Sequence, residues 1–198
     1  MNRAVFLDRD GVINKLVFNP KTGEYESPHR LEDLELMYNV LEPIKRLENN
    51  GYYLFVISNQ PSYAKGKTTL GSIKNIQEKL EEQLEQYGIT FKEYYYCYHH
   101  PNGIVPGFSG ECECRKPKHF FIDKAKNDYD LNLSQSWMIG DQDVDIECGN
   151  NAGVKTIMIL NEYSSKKRGS SFPNYSVNNL SESVNIILKS SDENNKRS

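Results

Sequence analysis

The stretch that decides the fold is Val5-Phe6-Leu7-Asp8-Arg9-Asp10-Gly11-Val12-Ile13-Asn14. With Ala4 before it, the run to Leu7 is continuously apolar, the pattern of a strand covered on both faces. The run stops at Asp8, and Gly11 lets the chain turn away after Asp10. Two carboxylates therefore stand at the carboxyl end of a buried strand, where open α/β sheets place their ligands. Crowded carboxylates repel one another unless a cation lies between them or one keeps a proton. Taken alone, an Asp-x-Asp at a strand end is equally a polar exit into a loop, and the rest of the chain decides between the two.

Working outward, Lys15 to Leu34 is polar and broken by Pro20, Gly23 and Pro28. Val40, Leu41, Ile44 and Leu47 recur at helical spacing, and Gly51 ends that helix. Tyr53 to Ile57 reads as a second strand, leading into Ser58-Asn59-Gln60. Ile73, Ile76, Leu80, Leu84 and Tyr87 mark one face of a long helix stopped by Gly88. Tyr94 to Tyr98 is a third strand, and its exit from His99 to Arg115 is rich in Gly, Pro and Cys and irregular. Phe120 to Tyr129 can be helical, and Trp137 to Gly140 is a fourth strand running into Asp141. A helix over Asp143 to Ala152, a fifth strand over Lys155 to Leu160 and a short final helix around Val184 to Leu188 follow. This alternation predicts an α/β fold: a three-layer, doubly wound parallel sheet in one domain over 1–189. Residues 190–198 read as a disordered tail.

The 198 residues carry a formal net charge of -3, which offers no basic face for nucleic acid. No apolar run approaches a membrane span and no leader-like segment opens the chain, so the expected setting is the cytoplasm, as a monomer by default. Cys148 reads as a small buried apolar residue, while His29 and His119 read as surface side chains without a partner in sequence.

The strand ends present Asp8 and Asp10, Ser58 and Asn59, and Asp141, with Lys116 arriving on a loop. Carboxylates with one hydroxyl and one lysine suit a phosphate ester. Magnesium takes oxygen ligands and screens an anionic nucleophile from an anionic substrate. Ser58 can donate to a phosphoryl oxygen and Lys116 can set a positive charge against it. One carboxylate can attack phosphorus while the other moves the protons. From Val5 to about Leu160 these residues resemble the haloacid dehalogenase (HAD) phosphatases, with Asp8-Arg9-Asp10-Gly11, Ser58, Lys116 and Gly140-Asp141-x-x-x-Asp145 as the four motifs. The resemblance implies Asp8 as nucleophile, Asp10 as general acid/base with its carbonyl facing magnesium, and Asp141 as the other protein ligand. Asp145 fits a supporting or helix-start residue, and Arg9 receives no role.

Cys97-x-His99 and Cys112-x-Cys114 supply three thiolates and one imidazole, a set suited to a closed tetrahedral zinc site. By spacing alone, His100 competes with His99. Arg115-Lys116-Pro117-Lys118 follows at once, so a metal there would fix the loop that delivers Arg115 and Lys116 to a phosphate. The loop resembles that of the HAD subgroup of heptose bisphosphate and histidinol-phosphate phosphatases, which implies structural zinc, His99 as the ligand and no large cap domain. It also implies a small phosphorylated sugar as substrate, foremost removal of the 7-phosphate from a heptose 1,7-bisphosphate with Arg115 gripping it, and otherwise histidinol phosphate. Three positions depart from the subgroup pattern: Ser62, Tyr38-Asn39 and His119-Phe120.

Overall fold

A computed structural model describes residues 1–195. Its centre is a six-stranded sheet ordered β5-β4-β1-β6-β7-β8, comprising β1 (Arg3–Leu7), β4 (Tyr52–Asn59), β5 (Glu93–Cys97), β6 (Trp137–Gly140), β7 (Lys155–Ile159) and β8 (Tyr175–Val177). Every pairing is parallel; β1 runs in register with β4 on one side and β6 on the other. The chain builds outward from β1 in one direction and then in the other. The switch point between β4, β1 and β6 is therefore where a ligand crevice opens.

The apolar runs that predicted these strands are buried because both faces are covered. Along β1, Val5 and Leu7 join a core formed with α1 (Leu41–Asn49), α2 (Leu70–Gln86) and α5 (Leu180–Asn195). Ala4 and Phe6 point the other way, into a core with α3 (Phe120–Tyr129) and α4 (Asp143–Ala152). Alternate residues of one strand thus serve opposite layers, as a period of two requires. Cys148 lies in the second core and is 1 % exposed, as its apolar reading predicted.

Three features differ from expectation. Within Lys15 to Leu34 the chain folds a small antiparallel hairpin, β2 (Val17–Asn19) with β3 (Glu24–Glu26), where the sequence read as irregular. Three-residue strands are too short to show alternation. The edge strand β8 escaped notice for the same reason. The last helix spans Leu180–Asn195 and so runs past Ser190, where a disordered tail was expected to begin; residues 196–198 of that stretch lie outside the described residues. Asn39, in one departing pair, adopts φ 51°, a left-handed conformation that Asn tolerates better than other side chains do.

Candidate active site

The carboxyl ends of β1, β4 and β6 converge on one cluster. Asp8, Asp141 and Asp145 are all buried, and each brings a carboxylate oxygen within 4.8 Å of the others. Such crowding needs backbone that can come close. Gly11 sits at φ 89°, and a Cβ there would fall 2.2 Å from Asp141 Oδ2. A Cβ on Gly140 would fall 2.1 Å from that of Asp145. Both glycines of the motifs are therefore steric requirements.

Lys116 lies within this cluster, 2 % exposed. Its Nζ is 2.9 Å from Asp8 Oδ1 and 2.7 Å from Asp145 Oδ1, and donates to the Ile57 carbonyl at 2.6 Å. Two ion pairs and one hydrogen bond thus surround the ammonium. Asp145 Oδ2 accepts from the backbone N–H groups of Asp141 and Gln142 at 3.2 and 3.0 Å, which caps α4. Asp145 thus occupies the supporting, helix-start place expected of it.

Both Asp141 oxygens are buried without a hydrogen-bond partner. Burial, with Asp8 and Asp145 nearby, raises its carboxyl well above the usual range. Burial likewise pushes Asp8 up to about 6 against the pull of Lys116. One lysine cannot balance three ionised carboxylates, and the donors are all oxygen. The residues present fit a divalent hard cation such as magnesium.

Asp10 is held differently. Arg9, fully buried, donates to both its oxygens at 2.9 and 3.1 Å. Asn14 donates to Oδ1 at 2.9 Å, while Ser27 and Gln60 donate to Oδ2 at 2.9 and 2.5 Å. Burial alone would raise this carboxyl, but Arg9 and the bonds from Asn14 and Gln60 outweigh it and hold it below the usual carboxylate range. Arg9 is the structural salt-bridge partner of Asp10. Gln60 and Asn14 stand within the motif stretches but were given no role there; Ser27 left no signal, because it reaches Asp10 only through the hairpin.

Ser58 is buried and its Oγ accepts from Gln60 at 3.0 Å. Asn59, expected to bind phosphate, instead spends its side-chain amide on the Lys116 backbone. A cleft of about 450 Å³ opens over Asp8, with Arg115, Lys65 and Lys167 among its walls. The hairpin forms one side: Tyr25 stacks on Tyr163 at 4.3 Å, and Glu26 pairs with Lys67 at 2.5 Å. His29 is not the partnerless surface residue expected, since its Nε2 lies 2.9 Å from the departing Ser62 Oγ. His119 pairs with Asp123 on its own helix.

Cys97, His99, Cys112 and Cys114 come together. The three Sγ–Sγ separations are 3.6, 3.2 and 3.5 Å, and His99 Nδ1 lies 4.0 and 3.7 Å from Cys97 and Cys114. Metal–sulfur bonds of about 2.3 Å in a tetrahedron imply edges of roughly 3.7 Å, so one ion fits. His99 and not His100 joins the three thiols; His100 turns its Nδ1 to accept from the Asn102 N–H at 3.1 Å. The same loop is fastened to the segment after β4: Ile104 and Val105 donate to the Ala64 carbonyl at 2.7 and 3.2 Å. Phe108 packs edge-on against Tyr63 and stacks on His99.

The HAD-hydrolase-like family matches residues 113–183. The chain is 32% identical over 158 residues to D-glycero-alpha-D-manno-heptose-1,7-bisphosphate 7-phosphatase of Photorhabdus laumondii, covering 80% of this chain and 82% of that one. This chain is a HAD-like phosphatase. The phosphatase is also 30% identical to D-glycero-beta-D-manno-heptose-1,7-bisphosphate 7-phosphatase of Escherichia coli K12, over 79% of this chain and 78% of that one. Its fold matches that of the D,D-heptose 1,7-bisphosphate phosphatase from B. bronchiseptica, solved with magnesium and phosphate, at a TM-score of 0.78 and 22% identity over 95% and 99% of the two chains.

Proposed function

We propose that this phosphatase removes the 7-phosphate from a D-glycero-D-manno-heptose 1,7-bisphosphate through an aspartyl-phosphate. The observation that carries the chemistry is the buried cluster itself: Asp8 ion-paired to Lys116 at 2.9 Å beside an Asp141 with both oxygens unpartnered. The names of the relatives support the sugar, and they differ among themselves in the anomer.

Asp8 attacks phosphorus, and the bond to the sugar oxygen breaks as that oxygen takes a proton from Asp10. Water then attacks the phosphorylated Asp8, gives a proton to Asp10, and releases phosphate. Lys116 holds Asp8 in place and sets one positive charge beside the transferring group. The Arg9 cradle keeps Asp10 as a carboxylate in this conformation, so before the first step Asp10 must leave Arg9 and take up a proton from solvent; the proton it then gives the sugar oxygen is replaced by the one it takes from the attacking water. Magnesium, held by Asp8, Asp141 and the Asp10 carbonyl, would supply charge stabilisation to the phosphoryl oxygens. Ser58 and Arg115 contact phosphate and substrate in this reading.

Zinc in the Cys97–His99–Cys112–Cys114 site is structural, ordering the loop that carries Arg115 and Lys116. None of the four cysteines forms a disulfide, which suits a reducing cytoplasm, and the working state assigned is a monomer. Phosphate release with magnesium, measured on both heptose anomers, fructose 1,6-bisphosphate and histidinol phosphate, tests the proposal. A strong preference for one heptose anomer is expected; even turnover of all four overturns the assignment of the sugar. Asp8→Asn is expected to lose activity by at least roughly a thousandfold, and full activity of that variant overturns the mechanism.

A further inference from the structure

We infer that Lys65 and Lys167, with Arg115, form an anion subsite that grips the phosphate not being cleaved. The inference rests on the bisphosphate reading above and adds to it the residues that set the choice of substrate. Three separate loops bring these cations to the cleft over Asp8: Lys65 follows β4, Arg115 follows the metal ligands, and Lys167 ends the short 3-10 helix Glu162–Lys167 after β7.

The two lysines form no ion pair. Neither Lys65 nor Lys167 has a carboxylate partner within 4.0 Å among the described residues, whereas neighbouring Lys67 is neutralised by Glu26 at 2.5 Å. Arg115 donates only to the His99 carbonyl, at 3.2 Å. With Glu26 spent on Lys67, Glu24 is the remaining rim carboxylate against three cations. Partial desolvation lowers the basicity of Lys65, and Lys67, Arg115 and Lys167 lower it further against the opposite pull of Glu26, so these cations sit close enough to repel. Mutual repulsion without acidic partners is the signature of a site that awaits an anion. Lys116 serves the floor instead, where its Nζ is held between Asp8, Asp145 and the Ile57 carbonyl. The reacting phosphate therefore meets Asp8 and Lys116 at the floor, and a second phosphate on the same small sugar meets Lys65, Arg115 and Lys167 at the rim.

Two measurements separate this from the function it rests on. Asp8→Asn protein with magnesium, titrated calorimetrically, gives dissociation constants for heptose 1,7-bisphosphate and heptose 7-phosphate without turnover. The bisphosphate is expected to bind at least roughly tenfold tighter. Adding Lys65→Gln and Lys167→Gln should bring that ratio toward one, while circular dichroism and melting temperature show the fold retained. Equal binding of the two sugars, or a ratio unmoved by the lysine changes, overturns the subsite. In parallel, the wild-type enzyme is assayed for phosphate release from both sugars. A retained binding ratio without turnover overturns the proposed reaction and leaves the subsite standing. Turnover without the ratio does the reverse, and no binding of either sugar overturns both.

Discussion

Asn59 grips Lys116 from both sides of its backbone: Oδ1 accepts from the Lys116 N–H at 3.1 Å, and Nδ2 donates to the Lys116 carbonyl at 3.1 Å. A residue at the end of β4 thereby sets the place of a lysine on a loop 57 positions later. Asn59→Ala removes both bonds and leaves Lys116 amide groups unpaired, at a cost of about 1–3 kcal/mol in unfolding free energy. Because Lys116 would lose its register against Asp8, kcat should fall more than KM rises. Denaturant unfolding and steady-state kinetics check the two halves.

Gly11→Ala places a methyl 2.2 Å from Asp141 Oδ2 on backbone at φ 89°. Asp141 must move, so the magnesium concentration for half-maximal activity should rise by roughly tenfold. A magnesium titration of activity reads this; an unchanged midpoint would show that Asp141 does not hold the ion.

Removing the loop metal should destabilise the fold more than removing magnesium does. A tight zinc chelator, or Cys112→Ser, is expected to lower the melting temperature by roughly 10 °C, equivalent to about 3 kcal/mol or more. Lost activity at an unchanged melting temperature would show that the loop acts in the chemistry instead.

Burial works to raise the Glu26 carboxyl, but bonds from Lys67, Thr22 and Asn19 outweigh it and bring the pKa down from 4.5 to about 2. A depressed pKa contributes stability above the unfolded value that is lost as pH falls through the folded one, between about 4.5 and about 2 here. The melting temperature of wild type should therefore exceed that of Glu26→Gln near neutrality. The gap should narrow as pH drops from about 5 to about 3, read by thermal melts at each pH.

The sheet was legible because β1, β4, β6 and β7 are buried on both faces and so read as unbroken apolar runs. The Cys/His cluster was legible because four soft or basic donors recur at short intervals along the chain. What escaped was what only tertiary contact creates. The β2–β3 hairpin has no apolar pattern, yet it carries Ser27 to Asp10 and stacks Tyr25 on Tyr163. The role of Asn59 could not be read because its partner is remote in sequence. Spacing alone left His99 and His100 open, and only the folded loop brings His99 to the three thiols.

The bond from Ile104 and Val105 to the Ala64 carbonyl joins the metal loop to the segment bearing Lys65, while the same loop leads directly into Arg115 and Lys116. On the proposed reading, one ion therefore tethers two opposing banks of the cleft, although it never meets the sugar. A cell starved of zinc would silence this enzyme while its magnesium remained plentiful, so trace-metal supply would govern the flow of sugar phosphate through a step that another metal catalyses.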